Sequence, residues 1–216
     1  MNEKFFNLSK DRQKAIVTAG CRGFYKYGYK KSSMSEIAME AGVSKSLLFH
    51  YFKNKKEFYL YLFNNAMQLT MQIAKEEINL SETDFFEIFL QSARIKRRLL
   101  KEYAYLSQFM MYAYYEEDEE VAIDLRMKTD ALTSGSIDSI LSRVDISKFK
   151  DSVNIQQLVK NVIWCGEGYM KEKYYNKKLD IEAIEAGYEE LLDFFRQNCY
   201  KEQYQKKINQ IDNKGM

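Results

Sequence analysis

The sequence has few residues that interrupt helices. Its 216 residues include no proline and only nine glycines, and these two residue types are the main helix breakers. Apolar residues recur at helical spacing through almost the whole chain, which predicts an all-α protein. The hydrophobic content of 46% is ample for a buried core in one or two domains.

The chain also has few residues that bind metals or carry out acid–base chemistry. Cys21, Cys165 and Cys199 show no CxxC or Cys/His spacing, so a disulfide framework and a structural zinc site have no support. The single histidine, His50, lies between two aromatic residues and has no partner at metal-ligand spacing or in a catalytic set. We therefore predict that the chain is not an enzyme, that it binds no metal or cofactor, and that it resides in a reducing compartment.

Long apolar runs are absent as well. No stretch approaches the roughly 18 to 20 apolar residues that a membrane-spanning helix needs, and the first residues lack the apolar run of a signal peptide. We expect a soluble, cytoplasmic protein without a membrane partner.

The charges are unevenly distributed along the chain. Residues 1–56 contain 12 Lys/Arg and 4 Asp/Glu, a net charge of +8, whereas the other residues contain 21 Lys/Arg and 27 Asp/Glu, a net charge of −6. A basic head on an acidic body indicates that the head binds a polyanion. A solvated charged face is the alternative explanation.

The first helix is predicted from Ser9, a suitable N-cap, to Tyr27. Gly28 follows as the residue that ends it. Gly20 and Gly23 permit another helix to approach closely. Its apolar face consists of Ile16, Cys21, Phe24 and Tyr27.

Two shorter helices follow with the spacing of a helix-turn-helix. Residues 33–36, SMSE, have the form of a capping box and predict a helix that stops at Gly42. A third helix over residues 44–52 follows after a turn of only two residues. At 100° per residue, one arc of this helix carries Lys45, Ser46, Phe49 and His50. Leu48 and Phe52 fall on another arc, so the helix has one face for the core and one for a partner.

Three segments carry a resemblance to a known family. They are AIVTAGCRGFYKYGY, GYKKSSMSEIAMEAGVS and SLLFHYFKNKKEF, in this order and at the right spacing. Residues 9–58 resemble the DNA-binding domain of the TetR family of bacterial transcriptional regulators. The resemblance implies a helix-turn-helix DNA-binding domain over residues 1–54. It also implies a larger helical domain over residues 55–216, which binds a ligand and forms a dimer.

The predicted DNA-binding residues surround the third helix. They are Ser33, Ser44, Lys45, Ser46, Leu47, Phe49, His50, Tyr51, Lys53 and Lys55. Ser46 and Leu47 occupy the positions where base discrimination usually lies in the family, and we assign base reading to them and to Lys45. The resemblance gives Tyr51 a contact with a phosphate. Phe49 replaces the family's usual tyrosine, so the contact of that hydroxyl is absent or is made by a neighbour.

The remaining polar residues are predicted to contact the DNA backbone and so to position the protein on the duplex. Lys53 and Lys55 lie beside the start of the next helix, where ammonium groups and free N–H groups both grip phosphates. Ser33 is expected to cap the second helix with its hydroxyl and also to contact the DNA backbone. His50 can donate to a phosphate or to a base edge. Aromatic packing within the recognition helix is the alternative role of His50.

The rest of the chain is predicted to form further helices. We expect one over residues 55–79, and helical structure from the cap at 81–84 onward with at least one further break before residue 120. Further helices are expected from the acidic run 116–120 to about Arg143, over 154–174, and over 180–200. A solvated surface loop is the alternative for the acidic run. A polar turn at residues 176–178 joins the last two helices, and a polar tail ends the chain.

The region 85–115 is rich in Phe, Tyr and Met. Such residues most often form a core, but they also line adaptable apolar cavities. The resemblance implies a small apolar or amphipathic ligand among the middle helices. The predicted ligand-binding residues are Phe89, Tyr103, Phe109, Met110, Tyr114, Trp164 and Glu167. For Trp164 and Glu167, whose neighbours are glycines, a close helix crossing at a dimer interface is the alternative.

The last two long helices are the predicted dimer interface. Each carries an apolar stripe, and two such pairs form a four-helix bundle. Two basic heads also fit a palindromic operator, since one small head contacts only a few bases. The sequence thus predicts a homodimeric repressor that a small ligand releases from its DNA operator. A helix-turn-helix protein that organises DNA or binds another protein, without a small ligand, is the alternative, and solid packing of the aromatic residues would favour it.

Overall fold

The computed structural model describes residues 3–175 and 180–205, and this part of the chain has the predicted all-α fold. Its α-helices are α1 (Lys10–Lys31), α2 (Met34–Glu40), α3 (Lys45–Tyr51), α4 (Lys55–Glu77), α5 (Phe85–Glu102), α6 (Ala104–Tyr114), α7 (Glu119–Leu141), α8 (Ile155–Tyr175) and α9 (Ile181–Cys199). Short 3-10 turns occur at Glu3–Phe5, Ile146–Lys148 and Glu202–Tyr204. The predicted turn at 176–178 and the tail beyond residue 205 lie outside the described residues.

Side-chain caps determine where several helices begin. The Ser44 hydroxyl accepts a hydrogen bond from the backbone N–H of Leu47 at 3.1 Å, and the Asn54 side-chain oxygen accepts one from that of Glu57 at 2.8 Å. Asp180 caps α9 in the same way. Each cap satisfies an N–H group that has no partner inside its helix. The predicted starts at Ser9, Ser33 and Ser44 are confirmed.

The first helix differs from its prediction near the end. Gly28 interrupts it with φ 75° and ψ 171°, a conformation that residues with a Cβ rarely adopt, and helical turns resume to Lys31. Tyr27 was expected on the buried face but is 45% exposed. That prediction was wrong because Tyr27 lies in the last turn before the break. Ile16 and Phe24 are fully buried, as predicted.

The middle of the chain contains the predicted break and the predicted acidic helix start. The break falls at Tyr103, between α5 and α6. The acidic run is divided, because Glu116 to Asp118 form a turn and α7 begins at Glu119. The Asp118 carboxylate accepts a hydrogen bond from the N–H of Glu120 at 3.1 Å and so caps this helix. The helix and the loop that were proposed for the run are therefore both present.

The described residues divide into two compact units. One contains residues 3–78 and 94–135, and the other contains residues 79–93, 136–175 and 180–205. The predicted functional boundary after residue 54 falls inside the first unit and stays a prediction.

The first unit is built on an aromatic core. Tyr59 of α4 lies between Phe24 of α1 and Phe109 of α6, with ring centroids 4.8 Å and 5.0 Å away. All three side chains are fully buried. A Cβ built on Gly20 would lie 2.5 Å from the ring of Phe58, so α1 and α4 are as close as the sequence predicted. Burial of these rings is a main source of stability in the unit.

The second unit combines aromatic packing with a buried ionic group. The Tyr200 hydroxyl accepts a hydrogen bond from the N–H of Phe85 at 3.2 Å. The guanidinium of Arg196 is buried and lies 3.2 Å from the Glu87 carboxylate, and Lys148 lies 2.9 Å from the Asp84 carboxylate. These contacts join the start of α5 to the end of α9 and to the turn at Ile146–Lys148.

Candidate nucleic-acid interface

The helix α3 has a buried face and an exposed face. Leu48 and Phe52 have no exposed surface and pack in the core of the first unit. Ser46 and His50 lie on the exposed side with Lys45. The two faces predicted from helical spacing are therefore present. Phe49, which was expected on the partner-facing arc, is the exception, because it is half-buried and packs against the core. An exposed polar edge on a short helix is what base reading in a groove requires.

The turn before α3 is held by backbone contacts. Gly42 adopts φ 66°, and the N–H of Val43 donates to the carbonyl of Ala38 at 2.9 Å. The guanidinium of Arg12, at the start of α1, donates to the carbonyl of Gly42 at 3.0 Å. The turn thus fixes the direction of α3 relative to α1 and α2.

The predicted base-reading residues differ in accessibility. Ser46 is exposed, and its hydroxyl lies 3.0 Å from that of Ser44. Lys45 is exposed, and its ammonium lies 5.9 Å from the centroid of the Phe49 ring. Phe49 and Leu47 are half-buried and pack against the core. The structure therefore places Lys45 and Ser46 in the better position to reach bases.

Tyr51 faces the protein interior. It is 6% exposed, and its ring centroid lies 5.8 Å from that of Phe5. Phe5 is fully buried and also packs on Phe52 at 4.9 Å. This geometry gives Tyr51 a packing role, and the phosphate contact assigned to it stays a prediction from the family resemblance. Phe5 was not predicted to be buried, although two consecutive phenylalanines in a polar N-terminal segment were a signal of burial.

The two lysines that were predicted to grip phosphates have different surroundings. Lys53 is exposed. The ammonium of Lys55 donates to the carbonyl of Lys30 at 3.1 Å and lies 5.0 Å from the centroid of the Tyr29 ring. Burial lowers the pKa of Lys55, while Glu120 and Asp118 oppose this effect. Lys53 is thus the more accessible of the two lysines, and the phosphate role of both stays a prediction.

Ser33 and His50 complete the predicted set. The Ser33 hydroxyl accepts a hydrogen bond from the N–H of Glu36 at 3.4 Å, as the capping box requires. Its neighbour Ser32 is buried instead and donates to the carbonyl of Gly23 at 3.1 Å. The exposed His50 ring lies 6.0 Å from that of Tyr51. Ser33 therefore serves local structure first, and His50 stands at the surface.

The predicted ligand-binding residues of the first unit are not equivalent. Phe109 is fully buried between its neighbours in the aromatic core. Met110 is half-buried, and its sulfur lies 3.7 Å from the Thr70 hydroxyl. Tyr103 and Tyr114 are each 39% exposed. Phe109 is thus part of the core, Met110 lies at the edge of the core, and Tyr103 and Tyr114 lie at the surface.

The other predicted ligand-binding residues belong to the second unit. Phe89 is buried and packs on Phe85 at 5.0 Å, whereas Trp164 is 60% exposed and Glu167 is half-buried. A Cβ on Gly166 would lie 3.1 Å from the ring of Tyr188, so this glycine serves packing between α8 and α9 of one chain. The seven predicted residues are divided between the two units, and their ligand role stays a prediction.

Over residues 3–175 and 180–205, the structure contains no helix that combines the length and apolarity needed to cross a bilayer. Among these same residues, no group of three or more His, Cys, Asp or Glu side chains is arranged to hold a metal ion.

The basic head and the short helix α3 with its exposed polar edge define a helix-turn-helix protein of the DNA-binding class. Residues 16–62 match the family model described as bacterial regulatory proteins, tetR family. This match over residues 16–62 supports membership of the TetR family. Its members are regulators and not enzymes, which confirms the prediction that the chain is not an enzyme.

Individual proteins show the same relationship. The chain is 35% identical over 69 residues to YhgD, an uncharacterized HTH-type transcriptional regulator of Bacillus subtilis strain 168. The match covers 32% of this chain and 36% of that protein, so it spans about a third of the relative's length.

Solved structures share the fold over a larger part of the chain. A TetR family regulator from Chloroflexus aurantiacus J-10-FL is 16% identical with a TM-score of 0.66, and the match covers 93% of this chain and 98% of the other. A gamma-butyrolactone receptor described as an ArpA-like protein is 13% identical with a TM-score of 0.64, over 91% and 92% of the two chains. At these identities the likeness shows a common fold.

Proposed function

We propose that this protein is a transcriptional regulator that binds a specific palindromic DNA operator as a homodimer in the cytoplasm. The observation that carries the proposal is the exposed edge of α3, where Lys45, Ser46 and His50 project from a head of net charge +8 over residues 1–56. The positive charge supplies affinity for phosphates, and the polar edge supplies base discrimination.

The homodimer is proposed to form through α8 and α9. Trp164 of α8 and Phe194 of α9 are 60% and 64% exposed, although both are large and apolar. Gly168 has open space around the position of a Cβ, so a partner helix can approach there. Exposed apolar surface on adjacent helices is typical of a subunit interface.

The ligand is proposed to be a small apolar or amphipathic molecule that releases the repressor from DNA. Support comes from the family, since one structural neighbour is described as a gamma-butyrolactone receptor. It also comes from the half-buried Met110 and the partly exposed Tyr103 and Tyr114, which are adaptable apolar groups. The ligand needs to favour the dimer conformation whose head spacing does not fit the operator. A coupling free energy of about 1 to 3 kcal/mol between ligand and DNA binding changes DNA affinity some 5- to 150-fold.

A regulator without a small ligand is the second candidate. The complete burial of Phe85, Phe86 and Phe109 favours it, because solidly packed aromatic residues leave less room for a cavity. Such a protein would use the same head to organise DNA or to bind a protein partner.

Selection of genomic fragments by the purified protein, followed by footprinting at several salt concentrations, tests the DNA proposal. We expect a protected palindrome and a steep salt dependence. Binding that is indifferent to sequence would refute the proposed regulator.

The double variant Lys45→Ala/Ser46→Ala should lose the preference for the palindrome, while Lys75→Ala, an exposed lysine of α4, should keep it. Release of the protein from that operator by an apolar or amphipathic compound would favour the ligand-controlled repressor. Failure of all such compounds to release it would favour the regulator without a small ligand.

A further inference from the structure

An acidic segment lies against the lysines at the start of α4. We define the acidic arm as residues 116–124, which form the turn before α7 and its first turns. Four of its carboxylates, Glu117 to Glu120, line an open cleft of 680 Å³ together with Tyr29, Lys30 and Lys55. Carboxylates and lysines therefore share one solvent-filled space within the first unit.

The acidic arm is anchored beside these lysines at both of its ends. The Glu116 carboxylate accepts a hydrogen bond from the backbone N–H of Tyr29 at 3.1 Å. At the other end, the Asp124 carboxylate lies 2.8 Å from the ammonium of Lys56. The contacts hold the arm on the segment that follows Gly28 and on the first turn of α4.

Both lysines have partners within the protein but stay partly exposed. Lys55 donates to the carbonyl of Lys30, and Asp118 and Glu120 are close enough to favour its charged form. Lys56 is bound to Asp124, but their side chains remain 37% and 42% exposed. An ion pair with this exposure is weak, so a phosphate can replace the carboxylate at little cost.

We propose that the acidic arm competes with DNA phosphates for Lys55 and Lys56. This inference rests on the proposed function, because it requires that the head binds DNA. A carboxylate and a phosphate present the same negative oxygen ligands to an ammonium group. Phosphate contacts contribute to all DNA binding, while base contacts contribute only at the operator. The acidic arm therefore weakens binding to random DNA and leaves discrimination to α3.

The test is to remove the competing charges while keeping the shape of the arm. The double variant Asp118→Asn/Glu120→Gln acts near Lys55, and Asn still provides the oxygen that caps α7. We expect its affinity for a random DNA duplex to rise about two- to fivefold, the range of one weak ion pair. The dependence on salt should become steeper by about one unit. Asp124→Asn should act in the same way through Lys56.

Two controls separate competition from a general change of charge. Asp130→Asn removes one negative charge from an exposed position of α7 in the same unit and should have little effect. In a Lys55→Ala background, Asp118→Asn/Glu120→Gln should no longer raise the affinity. A gain from Asp118→Asn/Glu120→Gln that persists without Lys55, or a gain from Asp124→Asn no larger than that from Asp130→Asn, would overturn the inference.

The result also distinguishes the inference from the function on which it rests. If the wild-type protein binds neither the selected fragments nor random DNA, the proposed function fails. If the wild type binds DNA and the charge-neutralised variants bind with unchanged affinity and salt dependence, only the role of the acidic arm fails. Thermal melting of each variant should confirm that the charge changes leave the fold intact.

Discussion

The rings of Phe5 and Tyr51 lie 5.8 Å apart at an angle of 65°, so the N-terminal turn is packed on the recognition helix α3. Phe5 is fully buried, and Phe52 at the end of α3 touches it as well. A seven-residue helix is too short to hold its own conformation in water. Its orientation thus depends on side chains from outside the helix-turn-helix.

The variant Phe5→Ala should destabilise the protein by about 3 to 5 kcal/mol, the usual cost of removing a buried phenyl ring. Urea unfolding measures this loss. DNA affinity, measured where the variant is still folded, should also fall, because α3 loses a support. Phe5→Leu retains much of the buried volume and should restore most of both properties. An unchanged free energy of unfolding in Phe5→Ala would contradict the packing described above.

If Lys53 contacts a phosphate as proposed, the variant Lys53→Ala should weaken binding to all DNA sequences and reduce the salt slope by about one unit. Its effect should exceed that of Lys55→Ala, whose ammonium is already held by the carbonyl of Lys30. Lys75→Ala, an exposed lysine farther along α4, is the matched control. Titrations with operator and random duplexes measure both quantities. A change of base preference in Lys53→Ala would show that its role is not a backbone contact.

The variant Gly20→Ala should destabilise the first unit, because its Cβ would lie 2.5 Å from the ring of Phe58. The cost of such overpacking is about 1 to 3 kcal/mol. Gly135→Ala in α7 is the control, since its Cβ meets nothing within 4 Å. That exchange should stabilise the helix by about 0.5 to 1 kcal/mol. Equal changes in the denaturation midpoints of the two variants would rule out the close approach of α1 and α4.

Asp84 should make the stability of the protein dependent on acid pH. Burial tends to raise the pKa of Asp84, but hydrogen bonds from Lys148 and from the N–H of Glu87, with the charge of Arg196, outweigh it and lower the pKa. Because the pKa of Asp84 is lower in the folded state than in the unfolded chain, its ionised carboxylate stabilises the fold at pH values above the unfolded pKa of about 3.9. This stabilisation is lost as the pH falls through the pKa of the folded state.

The corresponding test is the variant Asp84→Asn, in which the amide oxygen can still cap α5. We expect a loss of about 2 kcal/mol at neutral pH and a smaller further loss between about pH 5 and pH 3 than in the wild type. Urea unfolding across this pH range measures both. Asp130→Asn, at an exposed position, should follow the wild-type curve. Parallel curves for the wild type and Asp84→Asn would exclude the proposed linkage.

Helix starts were predictable because caps are local. Ser9, Ser33 and Ser44 each accept a hydrogen bond from an N–H group three residues ahead, so a short stretch of sequence contains the whole signal. The break at Tyr103 has no such signal, since its side chain makes no capping hydrogen bond. The position of this break is therefore not marked by a local capping pattern.

The interface was predictable in part for the same reason. Helical spacing separates Leu48 from His50 and so identifies the exposed edge of α3. The burial of Tyr51 and the occupation of Lys55 result from contacts with Phe5 and Lys30, and such pairs are not visible in a local sequence pattern. The predicted ligand residues depend even more on distant contacts, which is why their positions are the least well defined by sequence.

The hydrogen bond from the N–H of Tyr29 to Glu116 joins residues that are 87 positions apart. Phe109 and Val121 complete the core that surrounds the head. During synthesis the head therefore emerges from the ribosome long before the groups that support it. The core around the head can be completed only after synthesis has reached about residue 125.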